Sequence, residues 1–243
     1  MGLTVALKAS GHQDEALQLG VETLLIVRRV CGNMHLMTLQ AMNILAGVHS
    51  EMGDRAAALP LQAAVLAVCR RVLGNDHSNT LTSMNNLAMT HPCMRNFTAA
   101  LPLTQESLDG KRHTRGSDDE STIVSIANLA GVHSNMGNHD LALPLGREAL
   151  EISRRVLGSQ HPDAHRAAGN LGQLLVNMGD DAAAAPLLRE AVRGLTAVYS
   201  AGHPLALHYQ QILDDLAEAS ASEEEEQEEE TMYQRMAKRR RRE

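Results

Sequence analysis

Aromatic side chains are nearly missing from this chain: tryptophan is absent, and Phe, Trp and Tyr together make up 2% of its 243 residues. An interior without large rings has to be filled by Ala, Leu, Val and Met, which suits helices whose backbones approach closely. Cysteine is scarce as well. Cys31, Cys69 and Cys93 stand apart with no CxxC pair, which argues against a disulfide framework or a zinc cage and suits a reducing compartment. There is no basic excess; a formal net charge of −7 works against general nucleic-acid binding. No run of 18 or more apolar residues occurs, so no membrane-spanning segment is expected. The amino terminus lacks the charged-then-apolar layout of a secretory signal. Neither GxSxG nor GxxxxGK[ST] occurs, so catalysis by a nucleophile elbow or a phosphate loop is not expected. No catalytic residue and no cofactor is assigned, and the chain is expected not to be an enzyme.

What is present is a period. Leu-Pro-Leu occurs at 59–61, 101–103 and 143–145, and Ala-Pro-Leu follows at 185–187, each copy 42 residues after the last. Other columns keep the same register: Ala16, Ala58, Ala100, Ala142 and Ala184; Leu3, Leu45, Leu87, Leu129, Leu171 and Leu213; Gly11, Gly53, Gly137 and Gly179, with Arg95 as the exception. A period of this size is the mark of a stacked repeat array.

Within residues 38–79 the pattern splits into two helices. Thr38 to Glu51 carries Leu39, Met42, Leu45, Ala46 and Val48 at helical spacing. Gly53-Asp54 then turns and restarts the chain, with Asp as the helix-starting acceptor. A second helix runs to about Val72 and stops at Gly74. The same reading places repeats at about 38–79, 80–121, 122–163 and 164–205. A partial repeat (1–37) precedes them, with a second helix over about 13–31, and a terminal helix follows at 204–219. Helix pairs are expected at 80–114, 121–157 and 163–199. Because residues 1–10 match the end of a first helix, the chain is expected to be a fragment of a longer array. Pro60, Pro102, Pro144 and Pro186 fall in the second helices, which either bend there or begin near the proline. The third repeat is expected to be the weakest, since Arg95 replaces the turn glycine, Pro92 falls late in its first helix and Asp109-Gly110 interrupts its second. Residues 220–243 leave the pattern: Glu223 to Glu230 is nearly all glutamate and Lys238 to Arg242 is wholly basic. This acidic-then-basic tail is expected to be disordered.

The small-residue columns, together with Asn85-Asn86-Leu87-Ala88 and the stretch from Glu148 through Ser153-Arg154-Arg155-Val156-Leu157-Gly158 to His161-Pro162, resemble tetratricopeptide repeats. They resemble above all the 42-residue subtype of kinesin light chains, over about residues 3–218. The resemblance implies an all-α, right-handed superhelix of stacked hairpins whose first helices line a concave groove for a peptide. Carried over by position, the groove would be lined by Gln40, Asn43, Thr82, Asn85, Asn135, Arg166, Gln173 and Asn177. Asn43 and Asn85 stand where the family has peptide-backbone clamps, whereas Asn86, Asn128 and Asn170 are read as bonds between neighbouring helices. The chain departs from the family where His49, His91 and His133 replace a packing aromatic.

The twelve histidines follow the repeat, with His77, His161 and His203 sharing a linker position. No converging set of three or four ligands is found, and no metal site is expected. The expected role is a scaffold or adaptor binding short peptide segments of other proteins, in the cytoplasm, with nuclear import through Lys238–Arg242 as an added option. The alternatives are a scaffold that self-associates through exposed half-repeats at its ends, or an enzyme supported by the array. No nucleic acid is expected as a partner.

Overall fold

The computed structural model describes Gly2, Thr4 and residues 12–240 apart from Met94 and Ala201; the side chains of Pro92, Cys93 and residues beyond 222 fall outside the described set. Leu3, Gly11, most of the expected amino-terminal half-helix and the side chains of Lys238–Arg242 therefore lie outside it. The described elements are all helices: α1 (Gln13–Cys31), α2 (Leu36–Glu51), α3 (Arg55–Leu73), α4 (Ser78–Cys93), α5 (Phe97–Arg115), α6 (Glu120–Asn135), α7 (His139–Val156), α8 (Pro162–Asn177), α9 (Asp181–Val198) and α10 (Pro204–Arg240). The helix pairs agree with the sequence expectation to within about three residues. The chain falls into two compact units, 1–145 and 146–243, divided inside α7. In the first unit each helix from α1 to α6 packs on its neighbours in sequence; in the second, α9 packs on both α8 and α10.

The alanine column explains how the hairpins close. Ala16, Ala58, Ala100, Ala142 and Ala184 are all fully buried at 0% exposure; a larger side chain there would push the two helices of a hairpin apart. Around them Leu45, Leu87, Leu129 and Leu171 are buried. In the first unit Leu24, Leu39, Met42, Leu45, Val65 and Cys69 form one cluster between α1, α2 and α3. α3 is long and apolar enough to cross a membrane by length and composition alone. Here it packs between α2 and α4 as a repeat helix, with Gln62 buried and Arg55, Arg70 and Arg71 at its ends.

Helices of both kinds start on a side-chain acceptor in most repeats, although His12 at the start of α1 makes no side-chain capping bond. First helices are capped by His35, His77 and His161, whose imidazole Nδ1 accepts from the backbone N–H of Met37 (3.2 Å), Asn79 (3.1 Å) and Asp163 (3.2 Å). Asp119 takes that role in the third repeat, accepting from the Ser121 N–H at 3.0 Å. The linker histidines His77 and His161 are thus capping groups, which satisfy amides the helix start leaves unpaired, whereas Nδ1 of the third, His203, is buried without a hydrogen-bond partner among the described residues. Second helices are capped by Asp54, Asn96 and Asp180, which accept from Ala57, Ala99 and Ala183. Those starts lie five residues before each proline, so the helices run through Pro60, Pro102 and Pro186, and through Pro144 in α7. All four prolines are exposed, where water can serve the carbonyl that each leaves without an amide partner.

The third repeat departs from expectation in one respect. Asp109-Gly110 does not interrupt α5, which is continuous from Phe97 to Arg115. Gly110 instead admits the Leu81 side chain, whose Cδ2 lies 2.4 Å from where a Cβ would stand. The strain lies at the hairpin turn. Gly53, Gly137 and Gly179 take φ of 80°, 77° and 78°, and Arg95 is held at 57° in the same slot. A side chain in this left-handed region costs about 1 kcal/mol. Arg95→Gly is therefore expected to raise stability by about that amount, read as a higher denaturant midpoint with unchanged slope.

The terminal helix does not stop near 219: its backbone is helical to Arg240. Glu, Ala, Met, Lys and Arg are strong helix formers, and a like-charge composition argument ignores that local preference.

Candidate functional site

The residues assigned to a groove occupy one side of the first helices. On α2, Gln40 is exposed and Asn43 half-buried; on α4, Thr82 is exposed and Asn85 half-buried; on α6, Asn135 is exposed. In the second unit, α8 carries Arg166 and Gln173 half-buried and Asn177 exposed. The helical repeat accounts for this. Positions 40, 43 and 47 of α2 fall opposite the buried stripe of Thr38, Leu39, Met42, Leu45 and Ala46.

Several of these groups are engaged. Asn128 Nδ2 donates to Asn85 Oδ1 at 2.8 Å, joining α6 to α4. Asn135 Nδ2 donates to the Gly131 carbonyl of its own helix at 2.8 Å. Arg166 pairs with Asp163 at 2.8 Å, and His208 Nε2 donates to Gln173 Oε1 at 2.9 Å. Tyr209, itself fully buried, donates its hydroxyl to Asn170 Oδ1 at 2.7 Å. Asn128 and Asn170 thus bridge neighbouring helices, as read from sequence, while the part taken by Asn85 in such a bridge was missed. A signal existed: Asn85 and Asn128 lie 43 residues apart, one repeat plus one residue, so facing helices bring them level.

The electrostatics of these surfaces are mild. Burial lowers the pKa of His91 and of His133, so both favour the neutral form as packing groups. His49 Nδ1 lies 3.4 Å from Asp54 Oδ2. One face of the second helices carries ion pairs between successive repeats, Arg70 with Glu106 and Arg154 with Glu190. Among the described residues, no group of three or more His, Cys, Asp or Glu side chains is placed to hold a metal ion. An open recess of about 600 Å³ on the first unit is lined by Asp76, Leu81, Glu106, Asp109 and His113 among others.

Solved structures show the same fold. A Podosopora anserina protein described as kinesin light chain nearly identical TPR-like repeats aligns with a TM-score of 0.67 at 21% identity, over 82% of this chain and 94% of that one. BtubC (BKLC) from P. vanneervenii gives 0.67 at 21% identity, over 83% and 80%. MamA from Desulfovibrio magneticus RS-1 gives 0.55 at 13% identity, over 82% and 94%. No curated protein matches in sequence. The tetratricopeptide repeat family model matches residues 39–113 and 121–197, more than half of the chain. By that match, and by the hairpins that carry it, the chain belongs to the tetratricopeptide repeat family.

Proposed function

We propose that this chain is a protein-interaction scaffold whose first helices hold short, extended peptide segments of partner proteins. The observation that carries the reading is the recurrence of amide and hydroxyl side chains at equivalent solvent-facing positions of successive first helices. Gln40 and Thr82 share one column and Asn43 and Asn85 another; Asn135 and Asn177 repeat a third. An amide offers donors and an acceptor at once, so it pairs with a peptide backbone without requiring a particular side chain. Asn85 shares its Oδ1 with Asn128, so it serves the stack as well as the surface, whereas Gln40 is exposed and Asn43 half-buried.

The test uses the full chain as bait against a random-peptide display library, followed by titration of the selected peptides. Replacing Gln40 and Asn43 together by alanine is expected to weaken binding about tenfold or more, the loss of one to two hydrogen bonds, with an unchanged melting temperature. Asn85→Ala is expected to lower both affinity and stability. A library that yields no peptide, or a Gln40/Asn43 double variant that binds as well as the parent chain, overturns the reading.

A further inference from the structure

Charge is divided unevenly between the two kinds of helix in the first unit. Each of the second helices α1, α3 and α5 carries several charged side chains. The first helices α2, α4 and α6 carry no Lys or Arg, and their only carboxylates are Glu51 at the end of α2 and Glu120 at the start of α6. Burial does not account for this, since Gln40, Thr82 and Asn135 are exposed and Met89 is 37% exposed. A solvated surface normally has about 25–35% charged residues. Polar groups kept while charged ones are depleted mark the centre of an interface.

Neutrality restricts what such a surface can hold. A charged side chain brought onto it would lose its water with no opposite charge in reach, which is costly. Apolar groups and backbone amides bear no such cost. Gly47, Met89 and Gly131 occupy one column of successive first helices. The thioether of a methionine adapts to apolar groups of differing shape. On α6, which packs on α4, a Cβ at Gly131 would meet nothing within 4 Å, so a ligand backbone can come close to that helix. The second unit differs: α8 bears Asp163 and Arg166, paired at 2.8 Å.

We propose that α2, α4 and α6 select an extended peptide segment free of charged side chains, with an apolar residue seated on Met89. This rests on the peptide-binding reading above and narrows it to one class of ligand and to the first unit. Held by amide hydrogen bonds and apolar contact rather than by ion pairs, the complex is nearly indifferent to ionic strength.

The full chain is panned against a display library carrying every side-chain type at each position, and the selected peptides are titrated. They are expected to share a core segment without Asp, Glu, Lys or Arg and with one apolar residue. Their affinity should change less than about twofold between about 0.05 and 0.5 M sodium chloride. Placing either Glu or Lys in that segment is expected to weaken binding about tenfold or more, and Met89→Ala to weaken it about threefold to tenfold. Thr82→Lys is expected to switch selection toward peptides with Asp or Glu and to make their binding fall with salt. Circular dichroism confirms equal helicity for both variants. Selected peptides with charged cores, an affinity that drops about tenfold over the salt range, or binding indifferent to both substitutions overturns this proposal while peptide binding itself stands. A library that yields no peptide overturns both.

Discussion

Lys111→Met is expected to stabilise the fold by about 2 to 3 kcal/mol at pH 7, and to flatten its pH dependence between 8 and 10. Lys111 is only 5% exposed and donates from Nζ to Ser125 Oγ at 2.7 Å and to the Ser121 carbonyl at 3.1 Å. Its column holds Cys69 and Ser153, both buried, in neighbouring repeats. Burial, reinforced by the nearby Arg115 and only partly opposed by Asp119, pulls its pKa down from 10.5 to about 8. The sign follows from proton binding. Below pH 8 the ammonium is charged in both states, and the folded state bears the full cost of desolvating it. Between about 8 and 10.5 the folded chain has lost that proton while the unfolded chain still holds it, so stability rises with pH. Above 10.5 the rise ends. Tyr209 acts oppositely from pH 10 upward. Burial raises its pKa to about 12, so the unfolded chain gives up that proton first and stability falls. Urea unfolding of parent and variant from about pH 7.5 to 9.5, above the range in which His91 and His133 titrate, isolates the lysine, and a parent chain whose stability stays flat or falls there contradicts the assignment.

The second large effect belongs to Gly169. Alanine ordinarily stabilises a helix interior relative to glycine by about 1 kcal/mol, yet Gly169→Ala is expected to cost about 2 to 3 kcal/mol through overpacking. A Cβ there would lie 2.2 Å from Cε2 and 2.4 Å from Cζ of the Tyr209 ring. The ring has little room to retreat: Tyr209 is 1% exposed, and its hydroxyl is bonded to Asn170. A double-mutant cycle settles the cause. Tyr209→Ala is destabilising alone, but in that background Gly169→Ala is expected to become stabilising by about 1 kcal/mol. The same penalty in both backgrounds would show that the ring is not what requires the glycine. Thermal unfolding followed by circular dichroism reads both terms.

The alanine column announces close packing by itself, because alanine retained at the same step of every hairpin has no other common cause, and all five are buried completely. Arg95 was legible as a misfit because a glycine slot in a repeat implies positive φ, which the structure places at 57°. Gly110 was misread as a break, since glycine weakens a helix in isolation; that Leu81 fills its space depends on a residue 29 positions away. The same holds at the candidate surface. The period assigns Gln40, Asn43, Thr82 and Asn85 to one side of their helices, and its spacing of one repeat plus one residue brings Asn85 level with Asn128, but which of the asparagines bond across helices is fixed only by folding. The histidine caps were legible only as a shared linker position, because imidazole is an unusual capping group beside Asp, Asn and Ser.

The amino-acid order alone determined the interval, the approximate limits of the described helices from α1 to α9, and which side chains turn inward. Those follow from local helical geometry and from the same position recurring every 42 residues. Tertiary structure decided which side chains meet: Lys111 enclosed beside Ser125, Tyr209 laid over Gly169, and Asn128 bonded to Asn85. A period ranks equivalent positions within successive repeats, whereas a contact is made between different positions on helices brought together only by folding.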